Sequence, residues 1–80
     1  MSLATDIAEN RKKQEDLVRR ARELRGQLFA ECRLDTWETV AALDEGRMAE
    51  LCQQLQVAKW GMLNLRKDYD RLAAIAASER

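Results

Sequence analysis

Eighty residues, 46% of them hydrophobic and 35% charged, with 14 Lys/Arg balancing 14 Asp/Glu, leave room for one small domain of zero net charge, at a size that usually needs a staple, a metal or association to be stable. His is absent and Cys32 and Cys52 stand far apart with no CxxC, which excludes the usual zinc ligand sets and a disulfide framework and points to a reducing compartment, the cytoplasm or the nucleus. No apolar run approaches the roughly 18–20 residues of a membrane span and nothing resembles a signal peptide, while the absence of Pro, the 3 Gly and the abundance of Ala, Leu, Glu, Arg and Gln predict an all-α chain.

The first predicted helix covers about residues 3–33. Leu3, Ile7, Asn10, Gln14, Leu17, Ala21, Leu24 and Leu28 recur at alternating spacings of four and three, a heptad seam with Ile7, Gln14, Ala21 and Leu28 at a and the others at d. Asn10 and Gln14 are polar seam positions of the kind that fix register or partner number at a cost in packing. Val18 widens the stripe, and Phe29 and Cys32 lie beside it.

A turn is predicted at about residues 33–36. The argument is one of register: Leu28 ends the first seam at a, the second seam carried backward puts Ala41 at a, and the two are thirteen residues apart where an unbroken heptad needs fourteen. A continuous coiled coil would have to overwind to absorb the slip. Asp35 followed by Glu38 offers a capping-box-like start for a second helix, with Thr36 as the alternative cap and Leu34 as a staple against Thr39 or Val40. Arg33 is a favourable charge at the end of the first helix, although no Gly stands there to close it. The alternative is one long, bent coiled-coil helix.

The second predicted helix covers about residues 36–78. Met48, Leu51, Leu55, Ala58, Met62, Leu65, Tyr69, Leu72 and Ala76 keep the heptad for four repeats, and the pattern extends backward through Asp44, its one charged member, to Ala41 and Trp37. Trp37 reads as a large plug at the turn end. Gly46 marks a second place for an irregularity, whereas Gly26 and Gly61 read as tolerated helix positions or points of close approach. Val57, Trp60 and Leu63 fall at c, f and b, off the seam. Residues 1–34 carry eight basic and six acidic side chains and residues 35–80 the reverse, six and eight, a weak asymmetry that suits antiparallel packing. The heptads resemble those of coiled-coil segments in cytoskeletal, motor-associated and scaffold proteins, which implies an assembly role.

The expected architecture is a single helical module over residues 1–80: a long hairpin of two heptad-patterned helices that associates into a coiled coil or helical bundle. Catalytic chemistry finds no foothold. There is no imidazole base, Ser2 and Ser78 are terminal, both cysteines lack an imidazole partner, and Asp68 and Asp70 stand i,i+2 on a helix and do not face each other. No glycine-rich phosphate loop or metal set implies a cofactor. The chain therefore reads as a non-enzyme that joins copies of itself, as a dimer or higher homo-oligomer, or docks another protein. The interface residues would be Leu17, Leu24, Leu28, Trp37, Met48, Leu51, Leu55, Val57, Trp60, Met62, Leu63, Leu65, Tyr69 and Leu72. The competing expectation is a basic helix that contacts nucleic acid or an acidic cytoskeletal filament through Arg11, Lys12, Lys13, Arg19 and Arg20, with the second helix as dimeriser. Interleaved Glu15, Asp16 and Glu23 weigh against it, since pairs such as Glu15–Arg19 and Asp16–Arg20 would neutralise that face.

Overall fold

The computed structural model describes residues 2–79. Among them are three helices and no strand: α1 (Leu3–Glu31), α2 (Trp37–Ala41) and α3 (Glu45–Ser78). α1 and α3 pack on each other, and the Cα trace extends 63 × 17 × 14 Å. A single helix over residues 3–78 would run about 115 Å, so the chain is a hairpin and not a rod.

α1 starts where the sequence supplies a cap. The Ser2 hydroxyl accepts from the Thr5 amide at 3.1 Å, and Asp6 adds a negative charge to the first turn. The helix ends at Glu31, two residues before the expected limit. The Cys32 amide bonds back to the carbonyls of Leu28 and Phe29, and no described residue takes the left-handed conformation that closes many helices.

The connector departs from the expected tight turn at residues 33–36. Asp35 does not cap a helix with Glu38; it pairs with Arg33 at 3.2 Å. Thr36 is the cap instead, and its hydroxyl and that of Thr39 accept reciprocally from each other's amides, at 3.3 and 3.0 Å. The helix so started ends at Ala41, and the second long helix begins at Glu45, nine residues later than expected from the heptad. Asp44 explains the break. Within a continuous helix it would place an unpaired carboxylate in the seam, which is costly. Released from the helix, it caps α3, accepting from the Arg47 amide at 2.9 Å. The irregularity anticipated at Gly46 therefore falls just before it. Trp37 is not a plug: on the short α2 it is 76% exposed. Leu34 and Val40 are exposed as well.

The packing is antiparallel. Gln27 meets Arg47, Arg20 meets Gln54 and Asn10 meets Leu65 as α1 is followed towards its start and α3 towards its end. Every seam position of α1, from Leu3 to Leu28, is buried or half-buried, and so is every seam position of α3 from Met48 to Ala76. Leu24 and Leu51 are the deepest, at 1% and 0% exposure, and Ala58 is also buried. At Gly61 the other helix comes close: a Cβ there would stand 3.1 Å from Leu17 Cδ2. Gly26 has open space around it.

Asn10 is the buried polar residue of the seam, 6% exposed. Its Nδ2 donates to the Leu65 carbonyl at 3.0 Å and its Oδ1 accepts from Gln14 Nε2 at 2.6 Å. A carbonyl oxygen has two lone pairs, so Leu65 can serve both its own helix and Asn10. The two polar seam residues thus act together, and the register they fix is that of one helix on the other within the chain.

Candidate functional site

An antiparallel pair of helices has two long edges, and here they differ in chemistry. On the first, polar side chains tie the helices together beside an apolar depression of about 500 Å³ between Leu17, Leu24, Val57 and Ala58. Arg20 Nη2 donates to Gln54 Oε1 at 2.9 Å and Arg47 Nη2 donates to Gln27 Oε1 at 3.0 Å. Near the open end the same edge mixes signs, with Asp6, Glu9, Lys13, Asp68 and Arg71 around Asn10 and Leu72.

The second edge is an apolar groove with a basic rim. Leu17, Val18 and Ala21 of α1 face Leu55, Ala58 and Met62 of α3 across a depression of about 430 Å³. Arg22, Arg25 and Lys59 border it, and the depression continues towards the open end past Arg11, Glu15, Arg66 and Tyr69. Tyr69 anchors that end. Arg11 Nη2 donates to its hydroxyl at 2.9 Å, and the guanidinium carbons of Arg11 and Arg66 lie 5.6 and 4.8 Å from the ring centroid, distances at which a cation is attracted to the ring face. The bond to the Tyr69 hydroxyl pushes the Arg11 pKa up, holding it charged. Arg66 also pairs with Asp70 at 3.5 Å. Among the described residues no carboxylate oxygen lies within 4.0 Å of the side-chain nitrogens of Arg11, Arg22, Arg25 or Lys59.

The residues singled out from sequence fall into three groups. Leu17, Leu24, Leu28, Met48, Leu51, Leu55, Met62, Leu65, Tyr69 and Leu72 turn inward and are buried or half-buried between α1 and α3. Val57, Trp60 and Leu63 are exposed, Trp60 by 56%. At about 100° per residue they spread over some 120° of the α3 circumference, each three residues from the next, with Val57 and Leu63 on opposite flanks and Trp60 on the outer face between them. Trp37 sits apart on α2. The basic residues are also dispersed. Arg11, Lys12 and Lys13 are successive and point about 100° apart. Arg19 and Arg20 pair with Asp16 at 3.4 Å and Glu23 at 3.7 Å, three residues along the helix, in place of the expected Glu15–Arg19 and Asp16–Arg20 pairs.

The groove rim formed by Arg22, Arg25, Lys59 and Arg66 was not anticipated. Its signal lies beside the first seam, where Arg11, Glu15, Val18, Arg22, Arg25 and Phe29 repeat at the same four-and-three spacing. The cysteines are free thiols. Cys32 is half-buried and Cys52 is exposed. Among the described residues no helix is long and apolar enough to cross a membrane.

The helices and edges together define a helical hairpin with an apolar depression on each edge, one spanned by polar ties and the other rimmed by basic side chains. No protein-family model, curated protein or solved structure matches the chain.

Proposed function

We propose that the chain is a non-catalytic interaction module that assembles copies of itself or docks another protein. The observation that carries this reading is the imbalance between buried and uncovered apolar surface. Among the described residues only Leu24, Leu51 and Ala58 are buried apolar residues, while Phe29, Leu34, Trp37, Val40, Val57 and Trp60 are each more than half exposed. A two-helix hairpin with so thin a core gains stability from association, and exposed Trp and Phe next to Arg are the side chains that anchor interfaces. The a/d seams are largely used within the hairpin, so association draws on the edges of the seams and on the connector end.

Sedimentation equilibrium over a range of concentrations tests the self-assembly arm. Mass should rise to two or more chains and should persist in about 0.5 M salt, because apolar contacts are little screened. A single-chain mass at every concentration would leave only docking of a different protein. Leu55→Asp should lower mass and helicity together; retention of both would remove the seam edge from the interface.

A second reading, contact with nucleic acid or an acidic filament, draws on the positive edge, which takes in Arg11 and Arg19, rather than on Lys12, Lys13 and Arg20. Binding to phosphate falls steeply with salt, so absence of any salt-sensitive binding to a random duplex would remove it.

A further inference from the structure

We propose that the groove bordered by Arg22, Arg25 and Lys59 seats an acidic amphipathic helix of a second protein, which lies along α1 and α3 and completes a three-helix bundle. This rests on the reading of the chain as an interaction module and names the partner's chemistry. The first support is the asymmetry of the edges. One edge also holds an apolar depression, between Leu17, Leu24, Val57 and Ala58, but the polar side chains bordering it are tied within the chain, through Arg20–Gln54 and Arg47–Gln27. The other sets Arg25 of α1 and Lys59 of α3 around the same depression with no carboxylate within ion-pairing distance among the described residues. Like charges collected about an apolar floor disfavour the isolated hairpin, and carboxylates from outside would relieve them. The chain is neutral as a whole, so this positive edge is a local feature.

The floor decides the class of partner. Leu17, Val18, Leu55 and Met62 offer aliphatic surface at helical spacing, which fits apolar side chains recurring at i, i+3 or i+4 and i+7 on an incoming helix. Phosphates of a nucleic acid would use the rim and leave that floor without a counterpart. A second copy is disfavoured by charge: in either two-fold orientation this edge would meet itself, and its lining holds Arg11, Arg22, Arg25, Lys59 and Arg66 against Glu15. From Arg11 to Arg25 the groove runs about 21 Å along α1, four turns, so the occupant needs about 14–18 residues, with Leu-like residues on one stripe and Asp or Glu on both flanks.

The test uses a fluorescein-labelled 21-residue peptide with Leu at a and d and Glu at e and g, and a twin with Lys in place of Glu, read by anisotropy. The Glu peptide should bind and the Lys peptide should not, with affinity falling about tenfold or more from roughly 50 to 500 mM salt. Arg25→Glu/Lys59→Glu should abolish binding and invert the preference between the peptides. Lys12→Glu/Lys67→Glu, an equal charge change on the outer faces, should bind the Glu peptide within about twofold of the native chain. Circular dichroism checks that both variants keep their helicity. Equal binding of the two peptides, or unchanged binding by Arg25→Glu/Lys59→Glu, overturns the proposal. Stoichiometric displacement of the peptide by a random duplex RNA overturns it in favour of phosphate. Sedimentation of Arg25→Glu/Lys59→Glu separates the two levels: self-association that survives while peptide binding never occurs leaves the interaction module standing without this partner.

Discussion

Asn10 tests whether the hairpin register is set inside the chain. Asn10→Ala deletes the 3.0 Å bond to the Leu65 carbonyl and the 2.6 Å bond from Gln14. A neutral hydrogen bond contributes a net of about 0.5–1.5 kcal/mol. Leu65 keeps its helical partner, so no buried acceptor is orphaned, and the lost contacts of a buried side chain add roughly another 1 kcal/mol. For two bonds the sum is about 2–4 kcal/mol, and a chain of this size shifts its Tm by about 4–8 °C per kcal/mol. Far-UV circular dichroism at fixed protein concentration should therefore show a fall of about 8–32 °C. Pairing the change with Gln14→Ala in a double-mutant cycle should give a coupling of about 1 kcal/mol, because both substitutions remove the same Gln14–Asn10 bond. Asn10→Leu behaves differently. Burying a leucine contributes about 1.5–3 kcal/mol, so Tm should hold or rise, but spin labels placed on Gln27 and Arg47 should report more than one distance as other registers become accessible. A Tm for Asn10→Ala unchanged within about a degree would refute the reasoning, since a buried residue with two short bonds cannot be removed at no cost.

Three further expectations concern the helices themselves. Leu51→Ala, at a fully buried seam position, should cost about 2–5 kcal/mol, enough to unfold much of so thin a hairpin, as read by urea titration. Asp44→Ala removes the cap of α3 and should cost about 0.5–2 kcal/mol, with hydrogen exchange speeding up in the first turn at Arg47 and Met48; no change there would place the start of α3 elsewhere. Gly26→Ala should raise Tm, because alanine is favoured by about 1 kcal/mol in a helix and the site is open. Gly61→Ala should gain less or lose, since its Cβ would crowd Leu17 at 3.1 Å; an equal gain at both sites would contradict the close approach.

The two long helices were legible because their chemistry repeats. Eight seam positions from Leu3 to Leu28 and nine from Met48 to Ala76 share one period, and all of them face inward. Hairpin over rod was legible from the one-residue slip between the seams. The place of the break was not. Trp37 and Ala41 continue the heptad numerically, so the pattern alone extends the second helix back to Thr36, and only the competition between a buried and a capping Asp44 shows where it ends. Val57, Trp60 and Leu63 were separable from the seam by spacing, but their divergence around α3 follows from the helical angle and not from their closeness in sequence. The groove rim was the least legible part. Arg25 and Lys59 are far apart in the chain, and it takes an antiparallel pairing in this register to bring them to one edge.

The antiparallel register has a consequence for the order in which the chain folds. The Gln27–Arg47 contact closes 20 residues of chain, whereas Asn10–Leu65 closes 55. Closing the longer span first would cost about 1 kcal/mol more in chain entropy. The fully buried leucines, Leu24 and Leu51, lie towards the connector, so the cheapest loop and the strongest apolar contact coincide there. Pairing begins at the connector and zips towards the termini, and Asn10 comes into play after most of the apolar surface is buried. At that stage a slipped pair would leave its amide without the Leu65 carbonyl, and the chain would reopen. Stopped-flow kinetics should then divide the two substitutions: Leu51→Ala slows folding, while Asn10→Ala chiefly speeds unfolding. Asn10 works as a late check on alignment, and the hydrophobic contacts that start folding are free to be strong because they do not have to be selective.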